Sequence, residues 1–168
     1  MSNHRGKGGI EAFQSLWQPL VPSMKPKVLI VDGHSMIFQC PELADLHAGR
    51  TAAARDTLVR MLRDLQDGSE WTVAVVFDGK GARMADVSEP DGIHVFYSKS
   101  GQTADSVIER LAAKYAQTCD VTVATDDRLE RMTAETFGSM TMSSFQLKAE
   151  IAAAGERIAA AVRKLRKR

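Results

Sequence analysis

The sequence predicts an α/β three-layer sandwich with a mostly parallel central sheet of about five strands, on three observations. Short, near-continuous apolar runs such as Lys27–Val31, Trp71–Phe77 and Val121–Ala124 have the composition of strands covered on both faces. Segments with helical apolar spacing separate them, which is the alternation that builds a parallel sheet by crossover connections. Acidic residues follow the runs directly: Asp32 after the first, Asp78 after the second, Asp126 and Asp127 after Thr125. In an open parallel sheet those positions converge at one edge, where ligands bind outside the carboxyl ends of the strands.

The elements follow in order. Residues 1–24 form an extension in which Ile10, Phe13, Trp17 and Leu20 recur at spacings of three and four, a short amphipathic helix closed by Pro19 and Pro22. Such a helix packs on its own domain or docks a partner. Lys27–Val31 is the first strand, and the residues after it, His34 included, are read as a loop. Thr51 is the expected cap of a helix that places Leu58, Met61, Leu62 and Leu65 on one face and ends near Gly68. Trp71–Phe77 is the second strand. A loop from Gly79 to Gly92 follows, with a turn at Pro90-Asp-Gly92.

Ile93–Tyr97 is a shorter, more mixed strand nearer an edge. Thr103 caps the next helix, whose core face is Ile108, Leu111, Ala112 and Tyr115. After Val121–Ala124, Thr125 or Asp126 caps a helix that stops at Gly138, the usual C-terminal place for glycine. Met140–Met142 is a weak fifth strand. Ser143-x-x-Gln146 then reads as a capping box opening a long helix, with Leu147, Ile151, Ala154, Ile158, Val162 and Leu165 in one stripe and a bend expected at Gly155. That stripe packs on the domain or pairs with a second copy. The expected division is an extension at 1–24, a domain at 25–154 and a basic helix end at 155–168.

Length and composition narrow the class. The 168 residues suffice for one well-buried core, and the net charge of +1 forces no partner by itself. The charge is unevenly placed, because the chain ends Arg163-Lys-Leu-Arg-Lys-Arg168. Cys40 and Cys119 have neither C-x-x-C spacing nor a histidine at ligand spacing, and are expected to be reduced thiols. No apolar stretch approaches the ~18 residues of a membrane span. The start carries Arg5 and Lys7 with only a short mixed apolar run, so no signal peptide and a cytoplasmic location are expected.

The acids carry the chemistry. Asp32 and Asp78 end strands and point into one crevice, Asp105 and Glu109 lie four apart on one helix face, and Asp127 opens the helix after the fourth strand. Clustered carboxylates repel one another unless a cation holds them, and hard oxygen ligands suit Mg²⁺ or Mn²⁺. Such ions activate water and stabilise charge on a phosphodiester under in-line attack. Any one of these acids could simply favour a helix N-terminus; their placement at corresponding strand ends is what points to metal-dependent phosphoryl transfer. Lys80, Arg83 and Arg128 stand beside the acids as expected phosphate contacts. Gly79-Lys-Gly81 is no phosphate-binding loop, since G-x-x-x-x-G-K-[ST] is absent. The first strand also lacks the D-x-D of a dehalogenase-type phosphatase. With two Trp and two Tyr, binding is expected to rest on backbone charge more than on base stacking.

Four blocks resemble a family. Val31-Asp-Gly-His-Ser-Met-Ile-Phe38, Val76-Phe-Asp-Gly79, Thr103-Ala-Asp-Ser-Val-Ile-Glu109 and Val123-Ala-Thr-Asp-Asp-Arg-Leu-Glu130 are similar to the successive motifs of YacP-like NYN domains, a branch of the PIN-like ribonucleases. The likeness runs from about Lys25 to about Ile151. It implies a parallel sheet flanked by helices and an acidic pocket that binds Mg²⁺ or Mn²⁺ to cleave RNA. Members are associated with mRNA decay, in some cases at the ribosome. The matched acids are Asp32, Asp78, Asp105 and Asp127.

Two departures stand out. The family's V-D-G-Y-N becomes V-D-G with His34 and Ser35, and the usual Ser of the final block is Asp126. Ser35 can donate a hydrogen bond but cannot reproduce an amide's paired donor and acceptor. Asp126 adds either a ligand or a helix cap.

The resulting expectation is a cytoplasmic endoribonuclease acting on single-stranded RNA through metal-activated water. Asp32, Asp78, Asp105 and Asp127 hold the metal, Glu109 and Asp126 support them, and Ser35, Lys80, Arg83 and Arg128 contact substrate. RNA and the ribosome are the expected partners, and no membrane is. The altered pair His34 and Ser35 supports a rival, a non-catalytic RNA- or ribosome-binding module on the same fold. A structure-specific DNA nuclease ranks lower, because no arch-like insertion is present.

Overall fold

Five parallel strands and one short antiparallel edge strand form a single sheet, with helices on both faces. The computed structural model describes residues 25–79, 87–88 (backbone only) and 92–168. The N-terminal amphipathic helix, Lys80, Arg83 and most of the loop from Gly79 to Gly92 lie outside the described residues.

In chain order the elements are β1 (Lys27–Asp32), α1 (Gly33–Gln39), α2 (Pro41–Gly49), α3 (Thr51–Asp67), β2 (Trp71–Phe77), β3 (Val87–Ser88), β4 (His94–Tyr97), α4 (Ala104–Tyr115), β5 (Asp120–Ala124), α5 (Arg128–Thr136), β6 (Met140–Met142) and α6 (Ser144–Arg166). Across the sheet the order is β3-β4-β2-β1-β5-β6. β1 is central, in register with β2 from Lys27 opposite Trp71 to Asp32 opposite Val76, and with β5 from Lys27 opposite Asp120 to Val31 opposite Ala124. The chain builds outward from β1 through β2 and β4, then returns to the other side for β5 and β6. The strand order therefore reverses beside β1, which is where crevices open in such sheets.

Alternation along β1 divides the core. Leu29 and Val31 join Leu58, Leu62, Leu65, Val73 and Leu147 on the face covered by α1, α2, α3 and α6. Val28 and Ile30 join Ile108, Ala112, Val123 and Ala134 under α4 and α5. Continued one more step, the same parity carries Asp32 to the α4/α5 side.

The local signals held unevenly. Thr103 caps α4 by accepting from the Ser106 amide, and Ser143 with Gln146 forms a reciprocal capping box at α6. Gly138, at φ +82°, follows the end of α5 as expected. Thr51 is not a cap: it is the first residue of α3, and the preceding Arg50 makes no side-chain capping bond. Nor do Thr125 or Asp126 cap α5; Asp127 does, accepting from the amides of Leu129 and Glu130. His34 lies in α1, not in a loop. That helix is only seven residues long, and Asp32 starts it by accepting from His34 and Ser35.

α6 runs unbroken through Gly155. Its stripe packs at Leu147 and Ala154, both fully buried, but Val162 and Leu165 are exposed. Both cysteines are free thiols, Cys40 buried and Cys119 partly so. Among the described residues no helix is long and apolar enough to cross a membrane.

Candidate active site

Asp32 leaves the sheet at the end of β1 and is 4 % exposed. Its Oδ1 accepts from the amides of His34 (3.0 Å) and Ser35 (3.3 Å), and its Oδ2 from the hydroxyls of Ser35 (2.8 Å) and Thr125 (3.1 Å). Ser35 Oγ in turn accepts from the Asp126 amide, and Thr125 Oγ1 from the Asp127 amide. Two hydroxyls thus tie the end of β1 to the turn after β5 and fix the carboxylate's orientation. The glycine of V-D-G belongs to the same construction. A Cβ at Gly33 would come within 2.5 Å of the Phe77 ring, so α1 can start against β2 only without a side chain there.

Asp105, in the first turn of α4, and Glu130, in the first turn of α5, reach the same point. Ligand oxygens of Asp32, Asp105 and Glu130 all lie within 4.8 Å of one another. Glu130 is the telling member. It sits three residues after the Asp127 cap, where a glutamate ordinarily folds back onto the cap's amide. Here Thr125 takes that amide, and the Glu130 carboxylate, 3 % exposed, has no hydrogen-bond partner at either oxygen. Burial pushes its pKa up to about 10. The charge of Asp32, contact with the Asp105 carboxyl and the charges of Asp105 and Asp127 add to the rise.

A buried polar group without partners costs free energy comparable to a lost hydrogen bond or more. Two such oxygens facing two further carboxylates form a donor set of the kind that takes a hard divalent cation. The residues fit Mg²⁺ or Mn²⁺.

Asp32 and Asp105 of this triad line a cleft of about 900 Å³ together with His34, Asp78, Lys99 and Asp127, and Glu130 lies buried behind them. The Oδ1 of Asp78 accepts from the Ala104 amide (3.1 Å) and Ser98 Oγ (3.3 Å), which anchors the start of α4 to the end of β2. Arg55 holds the Asp78 carbonyl at 3.0 Å and stacks over Phe77 and Tyr97.

The cleft therefore gathers Asp32, Asp78, Asp105, Asp127 and Ser35 as expected from the sequence, though Ser35 spends its hydroxyl on Asp32 and the Asp126 amide. Asp126 turns the other way. It accepts from the Ser144 amide (2.9 Å) and pairs with Arg131 (3.6 Å), holding the start of α6. It is not the cap of a helix, since Ser143 caps α6, but it satisfies the first amide of that helix from another element. Glu109 does not line the cleft, and Arg128 is exposed outside it.

Glu130 was not among the expected ligands. Three residues after Asp127 it reads as an ordinary capping-box glutamate. Thr125 occupying the cap amide is a local contact two residues away; the packing of Glu130 against Asp32 and Asp105, from other elements, is what the sequence does not show.

The family model of the YacP-like NYN domain matches residues 29–168. The chain belongs to that family. It is 31% identical to the YacP protein of Bacillus subtilis (strain 168) over 140 residues, 82% of each chain. The crystal structure of Rae1 (YacP) from Bacillus subtilis superposes with a TM-score of 0.70 at 32% identity, covering 82% of this chain and 80% of that one. A point mutant of the same protein gives 0.71 at 32% identity, covering 84% of each. The YacP-like NYN fold is nuclease-like, and its acidic cluster in this chain is Asp32, Asp105 and Glu130, with Asp78 and Asp127 lining the cleft.

Proposed function

We propose that this protein is a divalent-metal-dependent endoribonuclease that cleaves single-stranded RNA. The observation that carries the reading is the partnerless, buried Glu130 carboxylate facing Asp32 and Asp105. Such an arrangement is costly in an apo protein and suited to a cation. Mg²⁺ or Mn²⁺ is the proposed cofactor, and when bound it activates water and neutralises charge developing on the phosphodiester. RNA is favoured over DNA by the ribonuclease branch that the sequence blocks resemble, and mRNA at the ribosome is the proposed cellular setting.

The chain's own residues have separable tasks. Asp32, Asp105 and Glu130 supply the ligand oxygens. Ser35 and Thr125 hold Asp32 in one orientation, so little reorganisation is needed as the site loads. Asp78 and Asp127, each tied to a helix N-terminus, line the same cleft, where they would orient substrate or the attacking water. Lys99 lines the cleft and offers a phosphate a positive charge. No side-chain nucleophile is required. The replacement of the family's asparagine by Ser35 is compatible with activity, because the hydroxyl keeps the bond to Asp32.

Incubating the full chain with end-labelled single-stranded RNA or DNA, in Mn²⁺, Mg²⁺ or EDTA, tests the reading. Internal cleavage of RNA with either metal and none in EDTA is expected. Tight RNA binding without cleavage under any metal would replace the enzyme with a non-catalytic RNA-binding module.

A further inference from the structure

The cleft poses a problem for a polyanion: its described lining holds Asp32, Asp78, Asp105 and Asp127 against Lys99 alone among lysines and arginines. An unpaired strand also offers its bases, which groups indifferent to charge can grip. The structure supplies one in α1. His34 and Phe38 are four residues apart and share the outer face of the helix, while Ser35, Met36 and Ile37 turn inward and are buried.

His34 lines the cleft, and its amide bonds Asp32. Phe38 is 50 % exposed, its ring centroid 4.4 Å from that of His34. Behind it His47 of α2 meets the ring edge-on at 5.0 Å. A half-exposed phenylalanine between these two rings leaves a π-surface open to solvent next to His34, which lines the cleft.

We propose that His34 and Phe38 form a shelf on which an unpaired nucleobase of the substrate strand stacks, holding the adjoining phosphodiester over the acidic cluster. The proposal rests on the nuclease reading and adds a subsite to it. Stacking tolerates any base, since every base has a π-face, and requires the strand to be unpaired. The shelf thus selects for single-stranded substrate without reading sequence. It also departs from the expectation that binding rests on backbone charge more than on base stacking: aromatic residues are few, but His34 lines the cleft, Phe38 packs against it and His47 against Phe38.

The test is binding of labelled oligoadenylate RNA to the full chain in Ca²⁺, with Phe38→Ala, Phe38→Leu, Phe38→Trp and His34→Ala, beside cleavage assays in Mn²⁺. Loss of one stacked base weakens binding roughly tenfold, so Phe38→Ala and Phe38→Leu should both show that loss. Phe38→Trp should retain affinity, and its added indole fluorescence should be quenched by oligoadenylate but not by an abasic oligomer of equal length. Leucine keeps the apolar volume without the π-face, so full binding by Phe38→Leu would overturn the shelf, as would an unquenched indole. Cleavage by the wild type with no effect of these variants would sink the shelf and leave the nuclease reading standing. Phe38-dependent stacking without cleavage would do the reverse, and neither binding nor cleavage would remove both.

Discussion

The two ends of the sheet treat charge oppositely. At the amino ends of the strands Lys27 pairs with Glu70 at 2.9 Å, and that bond holds the Glu70 carboxyl below its ordinary range. A cavity of about 550 Å³ there is lined by Lys27, Asp67, Glu70, Glu150 and Arg157, both signs together, with Arg157 also bonded to the Gly68 carbonyl at 2.6 Å. At the carboxyl ends the acids face each other, and Glu130 is pushed to about 10. One end contains its own counterions; the other leaves a place for one. Cavities alone do not mark function. What separates these two is burial: Lys27, Glu70 and Arg157 pair or bond in contact with solvent, whereas the Glu130 carboxyl is buried among other acids.

The largest effect expected is on catalysis. Asp32→Asn and Glu130→Gln each remove a ligand charge with little change of shape, and an asparagine can still cap α1. Losing the ion forfeits several kcal/mol of transition-state stabilisation, and each ~1.4 kcal/mol is tenfold in rate. Single-turnover cleavage in Mn²⁺ should fall by orders of magnitude, with Mn²⁺ binding lost in calorimetry. The matching change at the other end, Glu70→Gln, should do nothing to either. Near wild-type cleavage by Asp32→Asn would place the chemistry elsewhere.

The same contrast has a signature in stability. Glu130 has a raised folded pKa, so without metal the native state keeps a proton that the unfolded chain has released. Its contribution is full below about 4.5 and is lost progressively as pH rises towards about 10. In EDTA, wild type should lose stability relative to Glu130→Gln by up to ~1.4 kcal/mol for each pH unit between mildly acidic and mildly basic pH. Mg²⁺ should raise the wild-type melting temperature most at the basic end and leave Glu130→Gln almost unchanged. Parallel pH profiles of the two proteins in EDTA would mean that Glu130 is not strained.

A smaller effect is expected behind the ligands. Thr125→Val removes a donor to Asp32 and the acceptor for the Asp127 amide. Groups that orient metal ligands are typically worth 10- to 100-fold in metal affinity or activity. A Mn²⁺ titration of cleavage should therefore shift to higher concentration, with Ser35→Ala moving the same way. An unchanged titration midpoint in both would show that Asp32 needs no such bracing.

The smallest effect concerns the basic end of α6. Truncation after Val162 removes five cations and should flatten the dependence of RNA affinity on salt, by roughly 0.7 in log–log slope for each single-strand phosphate that is no longer neutralised. Cleavage of saturating substrate should hold. Identical slopes would leave those residues as cations favoured by a helix C-terminus.

How much of this was legible depended on how local the cause was. The five parallel strands follow from apolar runs, and the α4 and α6 caps from side chains bonding amides three residues away. α1 and α2 were missed because one is short and the other weakly amphipathic, opened by a proline at its first position. Asp32, Asp78, Asp105 and Asp127 could be placed because strand ends converge whatever the details. Asp126, expected to support the metal or cap a helix, and Glu130, of which nothing was expected, were decided by one cause. Sequence shows acids in a turn, but only packing decides which amide each meets, and Ser144 and Thr125 come from other elements or earlier in the turn.

The length of α6 has a bearing on substrate size. Its first amide is bonded to Asp126, directly behind the acids, and the helix continues for 23 residues. At 1.5 Å per residue this rigid span is ~34 Å, so its basic terminus works at arm's length from the scissile bond. With about 3.4 Å between stacked nucleotides, a strand reaching both would need on the order of ten nucleotides. On the proposed nuclease reading, oligomers shorter than this can reach the cleft but not the basic end of α6 as well.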